Sequence, residues 1–244
     1  MAAIGILLRR ELGAYFMTPV AWVFIVIFLM LSAGMTFFFG GFYERGIADL
    51  EPFFRFLPWL YLFLVPAIAM RLWAEERKSG TIELLLTLPI TPAQAVVAKY
   101  LAAWAFIGIA LALTFPLWIT VAVLGDPDNG AILTAYLGSW LLAGSYLAIG
   151  SCLSALTRNQ VVAFILAVVV CFGVLLIGYP AFVEVLHRLL PGAFADGIAG
   201  LSLLAHFDSF SKGVIDLHDL AYFLLVITFW LFANRIVIEL RKAG

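Results

Sequence analysis

Long apolar runs without charge dominate the chain. No Asp, Glu, Lys or Arg lies between Glu11 and Glu44, between Lys99 and Asp126, between Asp128 and Arg158, or between Arg158 and Glu184. A helix needs roughly 20 residues to cross about 30 Å of hydrocarbon. The pattern therefore predicts an all-α polytopic membrane protein with spans at residues 20–40, 56–73, 100–124, 132–155, 161–181 and 220–238. Thr18-Pro19 reads as an N-cap followed by proline at the first helical position of the first span. The second span reaches adequate length if Arg71 snorkels and the helix runs on to Trp73, and Pro58 and Pro66 predict a kink within it.

Between and around the spans, polar positions recur at helical rather than random spacing. In residues 4–17, Ile4, Leu7, Leu8 and Leu12 share one face, with Arg9, Arg10 and Glu11 elsewhere, which predicts an interfacial amphipathic helix. The segment 75–91 opens with Glu75, Glu76, Arg77 and Lys78 and breaks at Ser79-Gly80-Thr81. A short helix with Ile82, Leu85 and Leu86 opposite Glu83 is expected next, ended by Pro89. Thr91-Pro92-Ala93-Gln94 is a capping box that restarts a helix into the third span. Residues 182–219 form a second long connection. Val183, Leu186, Leu189 and Leu190 predict one amphipathic helix there, and Ile198, Leu201, Leu204 and Phe207 another, forming a cap on the bundle or dipping back into the outer leaflet.

Composition narrows the class. The chain is 65% hydrophobic and 12% charged, against about 25% charged in a soluble domain. That excludes a soluble globule, a disordered chain and a nucleic-acid binder. The net charge of −1 hides a sorting by side. With the N-terminus cytoplasmic, the inner loops hold Arg9, Arg10, Arg71, Arg77, Lys78, Lys99, Arg158, Arg235, Arg241 and Lys242, whereas the outer ones hold only Arg45, Arg55, Arg188 and Lys212. The acids divide the other way, so both termini are expected on the cytoplasmic side. The first apolar run exceeds the ~7–15 residues of a signal-peptide core, so it reads as a span.

Candidate chemistry is sparse. The middles of the spans carry almost no ionisable group, which argues against a proton- or ion-coupled carrier. No Gly-x-x-x-x-Gly-Lys-Ser/Thr pattern occurs, so the chain has no phosphate loop of that kind. Cys152 and Cys171 fall inside spans four and five, outside any disulfide framework. His187, His206 and His218 lie near Asp208, Asp216 and Asp219 on the outer side without metal-ligand spacing inside one helix turn, and are expected as solvated loop residues. The tryptophans are expected to form an interfacial belt. Gly138, Gly144 and Gly150, with Ser139, Ser145 and Ser151, give span four small faces for close helix packing, within the bundle or between two copies of it. A cytoplasmic helix between two spans is suited to fit a groove on a soluble partner, which points to an external motor.

The run 71–91, RLWAEERKSGTIELLLTLPIT, resembles the coupling segment of the type-2 permeases of ABC transporters. The outer stretch 201–216, LSLLAHFDSFSKGVID, is similar to the subgroup of gliding-motility and nitrous-oxide-reductase-maturation permeases. The resemblance implies a single permease domain over 1–244 in a bacterial inner membrane, paired with a second copy or paralogue above a cytoplasmic ATPase dimer. It implies that Glu75, Glu76, Arg77, Ser79, Gly80, Thr81 and Glu83 face the ATPase, joined by Arg9 and Arg10. ATP and Mg are then expected on the partner ATPase, with no cofactor on this chain. The substrate does not follow. Two other readings stand beside export. One is mechanotransmission to a periplasmic or gliding partner through 182–219. The other is a membrane-embedded enzyme using outer residues such as His206 and His218.

Overall fold

The computed structural model describes residues 2–82, 90–189 and 191–240, and no strand occurs among them. In chain order the elements are α1 Ala2–Met17, α2 Pro19–Gly34 with a π-helical turn over Met35–Phe39, α3 Phe42–Arg45, α4 Glu51–Ala69, α5 Arg71–Ser79, α6 Pro92–Ala112 and α7 Phe115–Leu124. Then follow α8 Asn129–Leu156, α9 Gln160–Ile177, α10 Pro180–Leu189, α11 Gly192–Ala199, α12 Leu203–Ser211 and α13 Leu217–Leu240. Six helical stretches among the described residues are long and apolar enough to cross a membrane: Pro19–Arg45, Glu51–Ser79, Pro92–Leu124, Asn129–Leu156, Gln160–Ile177 and Leu217–Leu240.

α8 is the axis of the bundle. Asp128 caps it, its carboxylate accepting from the amides of Gly130 at 2.9 Å and Ala131 at 3.1 Å. From Leu141 to Ala155 every residue is buried, and α4, α5, α6, α9, α12 and α13 all pack on this helix. Its small residues permit that crowding. A side-chain carbon added at Gly150 would lie 2.6 Å from the Ala69 Cβ, and one added at Gly144 would lie 2.8 Å from the Tyr100 hydroxyl. Gly138 is covered by Phe210 of α12. All three glycines are sealed by residues of their own chain, so the close packing expected of them is between helices of this bundle.

The outer faces are apolar. Val23, Val26, Ile27 and Met30 on α2, Val162, Ile165 and Val169 on α9, and Leu224, Leu225 and Phe229 on α13 are exposed, as hydrocarbon-facing helices require. α12 lies on the outer half of α8 with Leu203, Phe207 and Phe210 buried, whereas no α10 side chain is buried. The outer connection thus holds three helices where the sequence predicts two.

Three local expectations change. Thr18 makes no side-chain cap; its hydroxyl turns back to donate to the Tyr15 carbonyl at 2.9 Å, tying the end of α1 to the start of α2. Span three bends at Thr114, where Pro116 removes a helical donor and the Thr114 hydroxyl donates to the Leu111 carbonyl at 2.6 Å. Not every tryptophan sits in a belt. Trp104 and Trp140 stack at 4.1 Å between α6 and α8, and each indole N–H donates to the other's carbonyl, at 2.9 and 3.3 Å.

Candidate coupling site

α1, the C-terminal half of α5 and the start of α6 converge on one cation. α6 begins at the predicted capping box: the Thr91 amide donates to Gln94 Oε1 at 3.0 Å and the Gln94 amide to Thr91 Oγ1 at 3.3 Å. Two turns in, Lys99 is only 4% exposed. Its Nζ lies 2.6 Å from Glu76 Oε1 on α5, 3.1 Å from Glu11 Oε2 on α1, and 5.6 Å from the centre of the Trp73 ring. A buried ammonium is tolerated only when paired, and here two carboxylates and an aromatic face supply the pairing. α1 is held along α6 with Leu7 buried and Arg9 and Arg10 exposed. Burial pushes the Tyr15 phenol up from its usual range, and the Glu11 carboxylate adds to the shift. A cleft of about 190 Å³ between these helices is lined by Glu11, Tyr15, Arg71, Glu75, Glu76 and Lys99.

The joint between α4 and α5 is also built from side chains. The helical ladder is interrupted at Met70, four residues after Pro66. The Ser154 hydroxyl of α8 enters the gap. It accepts from the amides of Trp73 at 3.2 Å and Ala74 at 3.1 Å, and donates to the Met70 carbonyl at 2.9 Å. That is the full capacity of one hydroxyl. One turn away, Ser151 Oγ accepts from the Trp73 indole at 3.2 Å and from Asn234 Nδ2 of α13 at 2.7 Å. α5 is therefore fastened to α1 and α6 by charge and to α8 and α13 by hydrogen bonds.

Beyond this network the chain turns outward. Lys78, Ser79, Gly80 and Thr81 are exposed. Gly80 has φ +74, a left-handed conformation natural to glycine, and the Ser79 hydroxyl donates to the Glu75 carbonyl at 3.0 Å. The residues proposed from sequence to face a partner thus divide. Arg9, Arg10, Ser79, Gly80 and Thr81 lie on the surface. Arg77 is half-buried. Glu75 pairs with Arg71 at 2.8 Å, one turn earlier on the same helix. Glu76 turns inward to Lys99. Glu83 and the helix expected around it lie outside the described residues. Lys99, Glu11, Ser154 and Asn234 were not singled out by sequence as site residues, and Ser151 was named there only for close packing. For Lys99 a signal existed: it shares a helical face with buried Ala95, Ala102, Ala103 and Phe106.

On the outer side, His206 is buried rather than solvated. Its Nδ1 lies 2.6 Å from Asp219 Oδ1, and its ring stacks on Tyr222 at 3.8 Å.

The first five spanning stretches, the exposed turn after α5 and helices α10 to α12 fall within one family pattern, which ends short of α13. A family model described as ABC-2 family transporter protein matches residues 6–214, from α1 past α12. No curated protein matches the chain. With most of its length under that model and six apolar helices of spanning length, the chain belongs to the ABC-2 family, the membrane permease subunits of ABC transporters.

Proposed function

We propose that this permease works in an exporter-like complex of a bacterial inner membrane, both termini cytoplasmic, and takes its energy from ATP and Mg bound on a separate ATPase dimer. A second permease copy or paralogue completes the membrane part. The observation that carries the proposal is the placement of the exposed turn Lys78–Thr81 at the end of α5, a helix bonded to α6 and α8 and linked through Lys99 to α1 and through Ser151 to α13. A push on that turn is delivered to four helices instead of being absorbed by one. Arg9 and Arg10 lie on the same side and extend the contact surface.

The test is co-purification with a candidate ABC ATPase subunit, followed by ATP hydrolysis in nanodiscs. Cysteines placed at Lys78 and Thr81 are expected to cross-link to the ATPase, and Gly80→Pro is expected to abolish stimulation while the permease stays folded. Full binding and stimulation by Gly80→Pro would overturn the assignment.

A second reading, force transmission to a periplasmic-domain partner without cargo, is favoured by α10 and α11. They present Phe182, Val185, Leu189 and Phe194 exposed above the spans. Removing 182–199 is expected under that reading to abolish partner binding while ATPase coupling persists. Under the export reading, transport is lost with it.

A further inference from the structure

Three potential ligand atoms converge where the outer segment meets the last span: Nδ1 of His206 on α12, and Nδ1 of His218 and Oδ1 of Asp219 at the start of α13. All lie within 4.8 Å of one another. His206 Nε2 is 3.0 Å from the Gly200 carbonyl, which can only accept. That nitrogen therefore carries the proton, and in the neutral ring Nδ1 presents a bare lone pair. The lone pair is aimed at Asp219 Oδ1 at 2.6 Å, and His218 Nδ1 stands 3.4 Å from the same oxygen. At 2.6 Å the two atoms stand at hydrogen-bond distance, so a proton between them satisfies the contact, and a metal ion would take that proton's place. A proton on His206 answers for one nitrogen; a metal ion answers for all three atoms.

We propose that His206, His218 and Asp219 form a site for a divalent transition-metal ion of the zinc class, pinning the outer segment to the sixth span. Two imidazoles and one carboxylate make a three-ligand set that leaves a fourth position to water. The backbone-carbonyl hydrogen bond on the far nitrogen of His206 is the outer-shell contact that metal-bound histidines characteristically make. Tetrahedral zinc with bonds of about 2.0–2.1 Å sets its ligand atoms roughly 3.3 Å apart. The His218–Asp219 separation of 3.4 Å meets that spacing, whereas His206 and Asp219, at 2.6 Å, must part by about 0.7 Å to admit the ion. His206 is held by Gly200 and the Tyr222 ring, whereas the His218 side chain is 77% exposed and free to rotate into place. Because α12 closes over α8 at Gly138, filling the site fixes the cap on the bundle.

The full-length chain in detergent, stripped with a chelator and desalted, is titrated with Co(II) and then with competing Zn(II). The expected result is one cobalt per chain with the visible absorption of a tetrahedral ion, displaced by zinc. His218→Ala and Asp219→Asn are each expected to weaken binding more than ~100-fold, beyond what loss of an outer-shell partner costs. His218 is exposed, so its removal leaves the fold intact. His187→Ala, on another exposed outer histidine, should bind as the parent does. Zinc should also slow amide exchange across 203–211 in the parent and not in His218→Ala. Absence of stoichiometric cobalt binding, or parental affinity in His218→Ala, overturns the proposal.

Discussion

Replacing Lys99 by Met is the sharpest perturbation of the coupling site. At separations of 2.6 and 3.1 Å, the two carboxylates attract the ammonium by about 6 and 5 kcal/mol in a medium of effective dielectric about 20. Desolvating three ions at several kcal/mol each offsets most of that. The pairing therefore contributes little net stability, but it cannot be half removed. Without Lys99, Glu11 and Glu76 face each other in a cleft where their side chains are 16% and 20% exposed. Losing one partner of a buried pair costs about 3–5 kcal/mol, and this residual hydration puts Lys99→Met near the lower bound. At roughly 2–4 °C per kcal/mol for a chain of this size, the melting temperature should fall by about 6–12 °C. Tryptophan fluorescence or size-exclusion after heating reads it in detergent. The triple variant Lys99→Met, Glu11→Gln, Glu76→Gln removes all three charges of the hub, leaves the Arg71–Glu75 pair intact, and should regain most of the loss. The loss should also persist in high salt, since buried charges are poorly screened. A Lys99→Met melt within about 2 °C of the parent, or a triple variant no better than the single one, would refute the argument.

Ser154→Ala strands the Met70 carbonyl and two amides in the bundle and should cost about 1–3 kcal/mol, read as a lower melting temperature. Gly138→Ala drives a methyl into the Phe210 Cβ and should cost about 1–3 kcal/mol, with faster proteolysis between α12 and α13; Phe210→Ala keeps that carbon, so only Phe210→Gly should relieve the clash. Gly13→Ala, where nothing lies within 4 Å in the middle of α1, should instead stabilise by about 0.5–1 kcal/mol.

The spans were legible because crossing hydrocarbon is a one-dimensional demand: enough consecutive apolar residues, with polar groups at the ends. The capping box at Thr91 was legible for the same reason, its partners being three residues apart. The Lys99 hub was not, since Glu11 stands 88 residues away and no local spacing joins them. Span four's glycines showed that helices approach closely, but not which ones. Their neighbours Phe210, Tyr100 and Ala69 come from three separate helices, so the sequence alone left open a contact between chains. His206 could have been found. It lies three residues after Leu203 and four before Phe210, on the face of α12 that the apolar periodicity assigns to the interior.

Adjacent carboxylates on α5 illustrate how the fold reassigns charge that the sequence offers as one cluster. Glu75 is paired one turn back along its own helix, whereas Glu76 is spent on Lys99 and holds three helices together. Reversing the charge at Glu76 would place a guanidinium beside the Lys99 ammonium. Under the proposed function, coupling would then be lost through collapse of the Lys99 hub itself, whatever a partner ATPase touches. The surface itself must be probed where no internal partner exists to be broken, at exposed Lys78, Arg9 and Arg10. A defect at those positions with an unchanged melting temperature belongs to the contact, and one at Glu76 belongs to the lever behind it.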